Sequence, residues 1–159
     1  MTQIVVNEVH QAFKDAIGLL RDSIRSFGDT AWCKGPTFFQ VPAKVAYHDI
    51  ECLDYYFRTK SRDEWAWGYR FGKPWWELSN EDQPSQEELI AHLDELEERI
   101  AAHLAKVQDE TLGEVHDPQG EPVRTRIGHY LYALRHTTHH LGSLASLAAS
   151  SGTKPGDWR

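Results

Sequence analysis

The segment RHTTHHLGSL, residues 135–144, sets three histidines among the apolar residues of a helical stretch. Tyr132, His136, His140 and Leu144 recur every fourth residue, so on a helix the imidazoles of His136 and His140 leave one face a turn apart. Two such nitrogens can share one cation. Alone they would leave zinc or nickel mostly hydrated and weakly held, so a metal centre needs at least one more ligand from another element. His129 lies on a similar face further upstream, whereas His139 points roughly 100° away from His140 and reads as a surface residue or an outer neighbour of the site.

The best third ligand is His48. It lies in a second helical stretch on a face with Val45, Cys52 and Tyr55, which points it inward. A buried imidazole without a partner carries a desolvation cost, so His48 is either a metal ligand or a core histidine hydrogen-bonded to a tyrosine or carbonyl, and spacing leaves both open. Glu51 and Cys52, one turn on, are reserve ligands or supports for the ring, and Glu51, Tyr55 and Tyr132 are unranked candidates for a general base. His10, His92, His103 and His116 have no partner at ligand spacing and read as helix-surface or loop residues. The chain has no HExxH, no ExxH, no GxGxxG and no GxxxxGK[ST], which argues against a zincin, a carboxylate-bridged di-iron bundle and a nucleotide site.

Four amphipathic segments must position these residues. Val6, Val9, Phe13, Ile17, Leu20, Ile24 and Phe27 form the stripe of a first helix over residues 4–27, closed by Gly28. A second helix begins near Pro42 and runs to about residue 60. A third opens on a capping box of Ser85 and Glu88 and repeats Leu89, Leu93, Leu96, Ile100 and Leu104. The last starts just after Pro122 and reaches Gly152, placed as a C-terminal cap, with Pro155 beyond. Glu95, Glu97 and Glu98 read as a solvated face, and no segment reads as a strand. Links of about a dozen residues join the first two and last two helices, and about two dozen separate the second from the third, so the pattern predicts an all-α, up-down-down-up four-helix bundle with one long crossover. That crossover carries WAWGYRFGKPWW, residues 65–76, too aromatic for a free linker. Trp65, Trp67, Tyr69, Phe71, Trp75 and Trp76 are expected to plug one end of the bundle or to wall a substrate pocket.

The whole chain, 1–159, fits one domain, with 40% hydrophobic residues to fill a core. Its net charge of −7 gives no footprint for nucleic acid. The N-terminal stretch lacks a secretory pattern and no run approaches a membrane span, so the protein is expected to be soluble and cytoplasmic, with no membrane partner. Cys33 and Cys52 form no CxxC and are expected to remain thiols.

These features together resemble the DinB/YfiT-like superfamily of DNA-damage-inducible proteins, through His48 in YHDIECLDYYF, His136 and His140 in RHTTHHLG, Gly142, helix order and loop lengths. The resemblance implies a metal held by His48, His136 and His140, zinc or nickel foremost, in an up-down-down-up bundle that forms a homodimer. Many relatives follow the last histidine with Arg-Gly-Gln, where this chain has Leu141, Gly142 and Ser143. Characterised relatives include enzymes that use low-molecular-weight thiols. The expectation is therefore a divalent-metal site with an open position that activates a small thiol for transfer, or water for hydrolysis, on a small-molecule substrate. The alternative is a non-enzymatic, stress-related bundle that binds metal or a small ligand.

Overall fold

The computed structural model describes residues 3–116 and 124–156 and is predominantly helical. Helix α1 (Ile4–Arg25) buries the whole stripe from Val6 to Ile24, with Phe27 just beyond its end. Each such side chain withdrawn from water contributes about 1.5–3 kcal/mol. The helix stops at Arg25 rather than residue 27, and Gly28 does not close it. Gly28 instead precedes the four-residue helix α2 (Asp29–Trp32) with φ −77°, a conformation open to any residue. A 3₁₀ turn, Phe38–Gln40, then leads into α3 (Pro42–Tyr56), which opens on Pro42 as the sequence predicts. It ends at Tyr56, short of residue 60, because Arg58 folds back: its Nη1 donates to the Tyr55 carbonyl at 2.7 Å and its guanidinium lies 3.7 Å from the Tyr55 ring centroid.

Helix α4 (Gln86–Leu104) carries the expected capping box. The Glu88 N–H donates to Ser85 Oγ at 3.2 Å, and the Ser85 N–H donates to the Glu88 carboxylate at 2.9 Å. Its Glu95 and Glu97 are not left to solvent alone: they take Arg70 and Arg21, each at 2.6 Å. Helix α5 (Arg126–Ser150) is capped by Thr125, whose Oγ1 accepts from the Gly128 N–H at 3.1 Å, and Gly152 follows its end at φ +74°. Pro122, where the helix was expected to begin, lies outside the described residues. The all-α expectation holds broadly, with one short pair where no strand was read: β1 (Val115–His116) pairs antiparallel with β2 (Arg124–Thr125). Two residues per strand are too few for an alternating pattern to show.

Helices α1 and α3 each pack against both α4 and α5, and one apolar core runs through all four. Among the described residues no helix is long and apolar enough to cross a membrane. The long loop after α3 is tied back to it by hydrogen bonds from its middle. Tyr47 Oη donates to the Lys73 carbonyl at 2.9 Å, the Gly68 N–H donates to Glu51, and Tyr69 Oη donates to Asp54 at 2.6 Å. Trp67 stacks on Tyr55 with centroids 4.9 Å apart, and Trp65 meets the same ring edge-on at 5.7 Å. Only glycine fits position 68: φ is +77°, and a Cβ there would stand 2.1 Å from the Lys73 carbonyl carbon. With this loop over it, α3 is buried on nearly every side, its Asp49, Glu51 and Asp54 included.

Candidate metal centre

Helix α3 presents His48 and helix α5 presents His136 and His140 toward one point. One ring nitrogen from each lies within 4.8 Å of the other two. Ring centroids are 4.5 Å apart for His48 and His140, 4.6 Å for His136 and His140, and 5.1 Å for His48 and His136. The α3·α5 contact makes this meeting, since the i, i+4 spacing on α5 brings together only its own pair.

Two aromatic residues flank the histidines. Trp75, delivered by the long loop, meets His48 edge to face with centroids 4.4 Å apart, so this part of the aromatic segment lines the site while Trp65 and Trp67 plug against Tyr55. The second is Phe39, from the turn before α3, which stacks on His140 at 6.4 Å and meets His48 at 6.1 Å. Nothing in sequence spacing pointed to Phe39. On the opposite flank His136 opens onto a cleft of about 240 Å³ lined by Tyr132, Arg135 and His139.

Electrostatics keep the two inner rings neutral. Burial, then the proximity of His140, His136 and His139, pushes His48 down to about 3. For His140, burial is again the largest influence and outweighs the opposing pull of Asp49, pushing it down to about 4. A neutral imidazole has a lone pair to give a cation. The Nδ1 atoms of His136 and His140 are buried with no hydrogen-bond partner among the described residues, as are both carboxylate oxygens of Asp49. Asp49 Oδ1 stands 3.4 Å from His136 Nδ1. Three imidazoles from two helices, with polar atoms left unsatisfied beside them, fit a divalent cation better than a closed hydrogen-bonded core.

The reserve groups play other parts. Cys52 Sγ lies 3.6 Å from His48 Nδ1, and burial, then the nearby Asp49 and Glu51 carboxylates, pushes its thiol up and keeps it protonated. Glu51 accepts the Gly68 N–H on one oxygen, its other oxygen is buried without a partner among the described residues, and burial pushes its carboxyl up to about 7. Tyr55 packs under Trp65 and Trp67, and Tyr132 lies between Arg124 and Arg135.

Several histidines read as surface or loop residues prove structural. His92 is 2% exposed, and its Nε2–H donates to Asp54 at 2.9 Å. His103 Nε2 pairs with Tyr130 Oη at 2.9 Å, and the His116 ring lies 4.5 Å from His129. His129, placed by spacing on a face like that of His136, instead donates from Nε2 to the Tyr56 carbonyl at 2.9 Å. His139 is exposed beside His140, and His10 stays half-exposed on α1. Seven residues advance a helix by about 10.5 Å, so His129, on nearly the same face as His136, lies two turns away and meets the end of α3 rather than His48. Asp49 is the residue that sequence reasoning missed. The available signal was an aspartate inside an otherwise buried helix, next to the histidine chosen as third ligand.

Compared with models of known protein families and with curated proteins, the chain matches none, so the site is read from its own residues.

Proposed function

We propose that this chain is a metal-dependent enzyme of the DinB/YfiT-like kind, whose His48, His136 and His140 hold one divalent ion, zinc or nickel foremost. A divalent ion held by three neutral imidazoles supplies Lewis acidity at an open position, which favours the deprotonated form of a small thiol, for transfer, or of water, for hydrolysis. The observation that carries this reading is the convergence of three histidines from α3 and α5 within 4.8 Å, beside polar atoms that have no other partner.

The protein's own residues supply the rest. Burial holds His48 and His140 neutral across the physiological range, ready to donate lone pairs. Trp75 and Phe39 give one side of the site an apolar aromatic lining. The cleft beside His136, with Tyr132, Arg135 and His139 around it, gives a small substrate its approach. The family reading carries an up-down-down-up arrangement of α1, α3, α4 and α5 and a homodimer, for which Trp76 and Tyr69, about half exposed, offer apolar surface. Light scattering at tens of micromolar, about the range where weak dimers persist, should give twice the chain mass.

One observation favours a second reading, a metal- or small-ligand-binding bundle without catalysis: of the groups considered as a base, Glu51 gives one oxygen to Gly68, Tyr55 packs under Trp65 and Trp67, and Tyr132 lies between two guanidinium groups. A screen of metal-replete protein against several low-molecular-weight thiols with epoxides and alkyl halides, and against esters and amides, separates the two. The enzyme reading predicts turnover that collapses in His48→Ala, and turnover nowhere above that variant leaves the binding reading.

A further inference from the structure

We propose that Asp49 is a positioning residue for the histidine site: its carboxylate accepts the Nδ1–H of His136 and thereby turns the Nε2 lone pair of that ring toward His48 and His140. The inference rests on the reading of the three histidines as a metal centre, and concerns how that centre is held before any ion arrives.

Asp49 has no exposed surface, and neither of its oxygens has a hydrogen-bond partner among the described residues. A buried carboxylate left in that state is heavily penalised, so its surroundings must offer compensation. The nearest compensation is His136, whose Nδ1 is 3.4 Å from Oδ1 and equally without a partner. That separation exceeds the usual N–H···O range of about 2.7–3.2 Å by a margin that a small ring rotation closes. An imidazole has one proton between two nitrogens, so an acceptor at Nδ1 leaves the lone pair at Nε2, on the far side of the ring. Histidines that bind metals commonly give their other N–H to a carboxylate, which fixes both tautomer and ring orientation.

Charge supports the same assignment. Three neutral imidazoles around a divalent cation would bury two positive charges. One adjacent carboxylate halves that excess without occupying a ligand position, leaving the open side for substrate. His140 feels the same carboxylate, and its own Nδ1 is likewise buried without a partner among the described residues. Of the neighbouring buried acids on α3, Asp54 is engaged by His92, Tyr69 and Arg99 and Glu51 gives one oxygen to Gly68, whereas Asp49 is the one that stands beside His136.

Long-range ¹H–¹⁵N NMR of the imidazole rings, in metal-free full-length protein near pH 8, tests this without relying on an ion or on activity. His136 should be the Nδ1–H tautomer in wild type and a mixture in Asp49→Asn, which keeps the side-chain shape but can donate as well as accept. Zinc affinity, by competition with a chromophoric chelator, should fall about 10–100-fold in Asp49→Asn and recover in part in Asp49→Glu. A wild-type His136 in the Nε2–H form, or a tautomer unchanged in Asp49→Asn, overturns the assignment even if the substituted protein is unstable. If wild type holds the Nδ1–H tautomer yet takes up no zinc, the positioning contact stands and the metal reading fails.

Discussion

The indole of Trp75 meets the imidazole of His48 edge to face, with ring centroids 4.4 Å apart. A residue of the long loop and a residue of α3 thus share one environment, and an event at the histidine reaches the tryptophan. The chain has six tryptophans, and among the described residues Trp75 is the one whose ring contacts a member of the histidine site, His48. Titration with Ni²⁺ or Co²⁺ should quench part of the tryptophan emission and saturate at one ion per chain. Trp75→Phe should lose most of that quenching while retaining the ion. Quenching of equal amplitude in the variant would place the ion elsewhere.

Metal removal should cost stability, because an ion bound only by the folded chain adds RT ln(1 + [L]/Kd), about 2.7 kcal/mol at a hundredfold excess over Kd. For a chain of this size that corresponds to roughly 5–10 °C in melting temperature. Scanning calorimetry should show a chelator lowering the wild-type transition by that order and leaving His140→Ala unmoved. A chelator effect of the same size in both would remove the histidines from the site.

Glu51 sets a pH dependence of its own. Burial, resisted by the Gly68 N–H and reinforced by Asp54, raises its carboxyl in the folded state to about 7, from 4.5 in the free side chain. Because the folded pKa is raised, the folded chain favours the protonated form. The stabilisation is full below pH 4.5 and is lost as pH rises through 7. Glu51→Gln imitates the protonated carboxyl and keeps an oxygen for Gly68. Urea denaturation should therefore find the variant close to wild type at pH 4.5 and more stable than wild type at pH 8. A variant that is less stable at pH 8 would contradict the assignment.

Much of the fold was legible because it rests on local patterns. The α1 stripe from Val6 to Ile24, the capping box at Ser85 and Glu88, and Gly152 after α5 are each written in residues a few positions apart. The meeting of His48 with His136 and His140 was legible only as a conjunction of an inward helix face with an i, i+4 pair. What spacing could not show were contacts between distant segments. Asp54 draws its partners from the loop and from α4, Phe39 reaches the histidines from a turn, and the β1–β2 pair is two residues long. His92 was misread for the same reason: its partner lies on another helix, and no pattern around residue 92 announces it.

The Asp54 cluster should be the chief polar support of α3. Burial opposes the Asp54 charge, but the bonds from His92 and Tyr69 and the charge of Arg99 together outweigh it and hold the carboxyl below its ordinary value. His92→Leu removes one donor and leaves the carboxylate buried, which should cost about 1–3 kcal/mol. Chemical denaturation at pH 7 measures this, and a loss within about 0.5 kcal/mol, as for a surface substitution, would mean the cluster bears little weight.

The central claim, that His48, His136 and His140 form one metal site, is tested most directly by metal content. Purified protein equilibrated with zinc, freed of unbound ion and analysed by atomic emission should contain one zinc per chain. His48→Ala and His136→Ala, with their helical circular dichroism intact, should contain almost none. Metal-free wild type under these conditions, or a full complement of zinc in both variants, would contradict it.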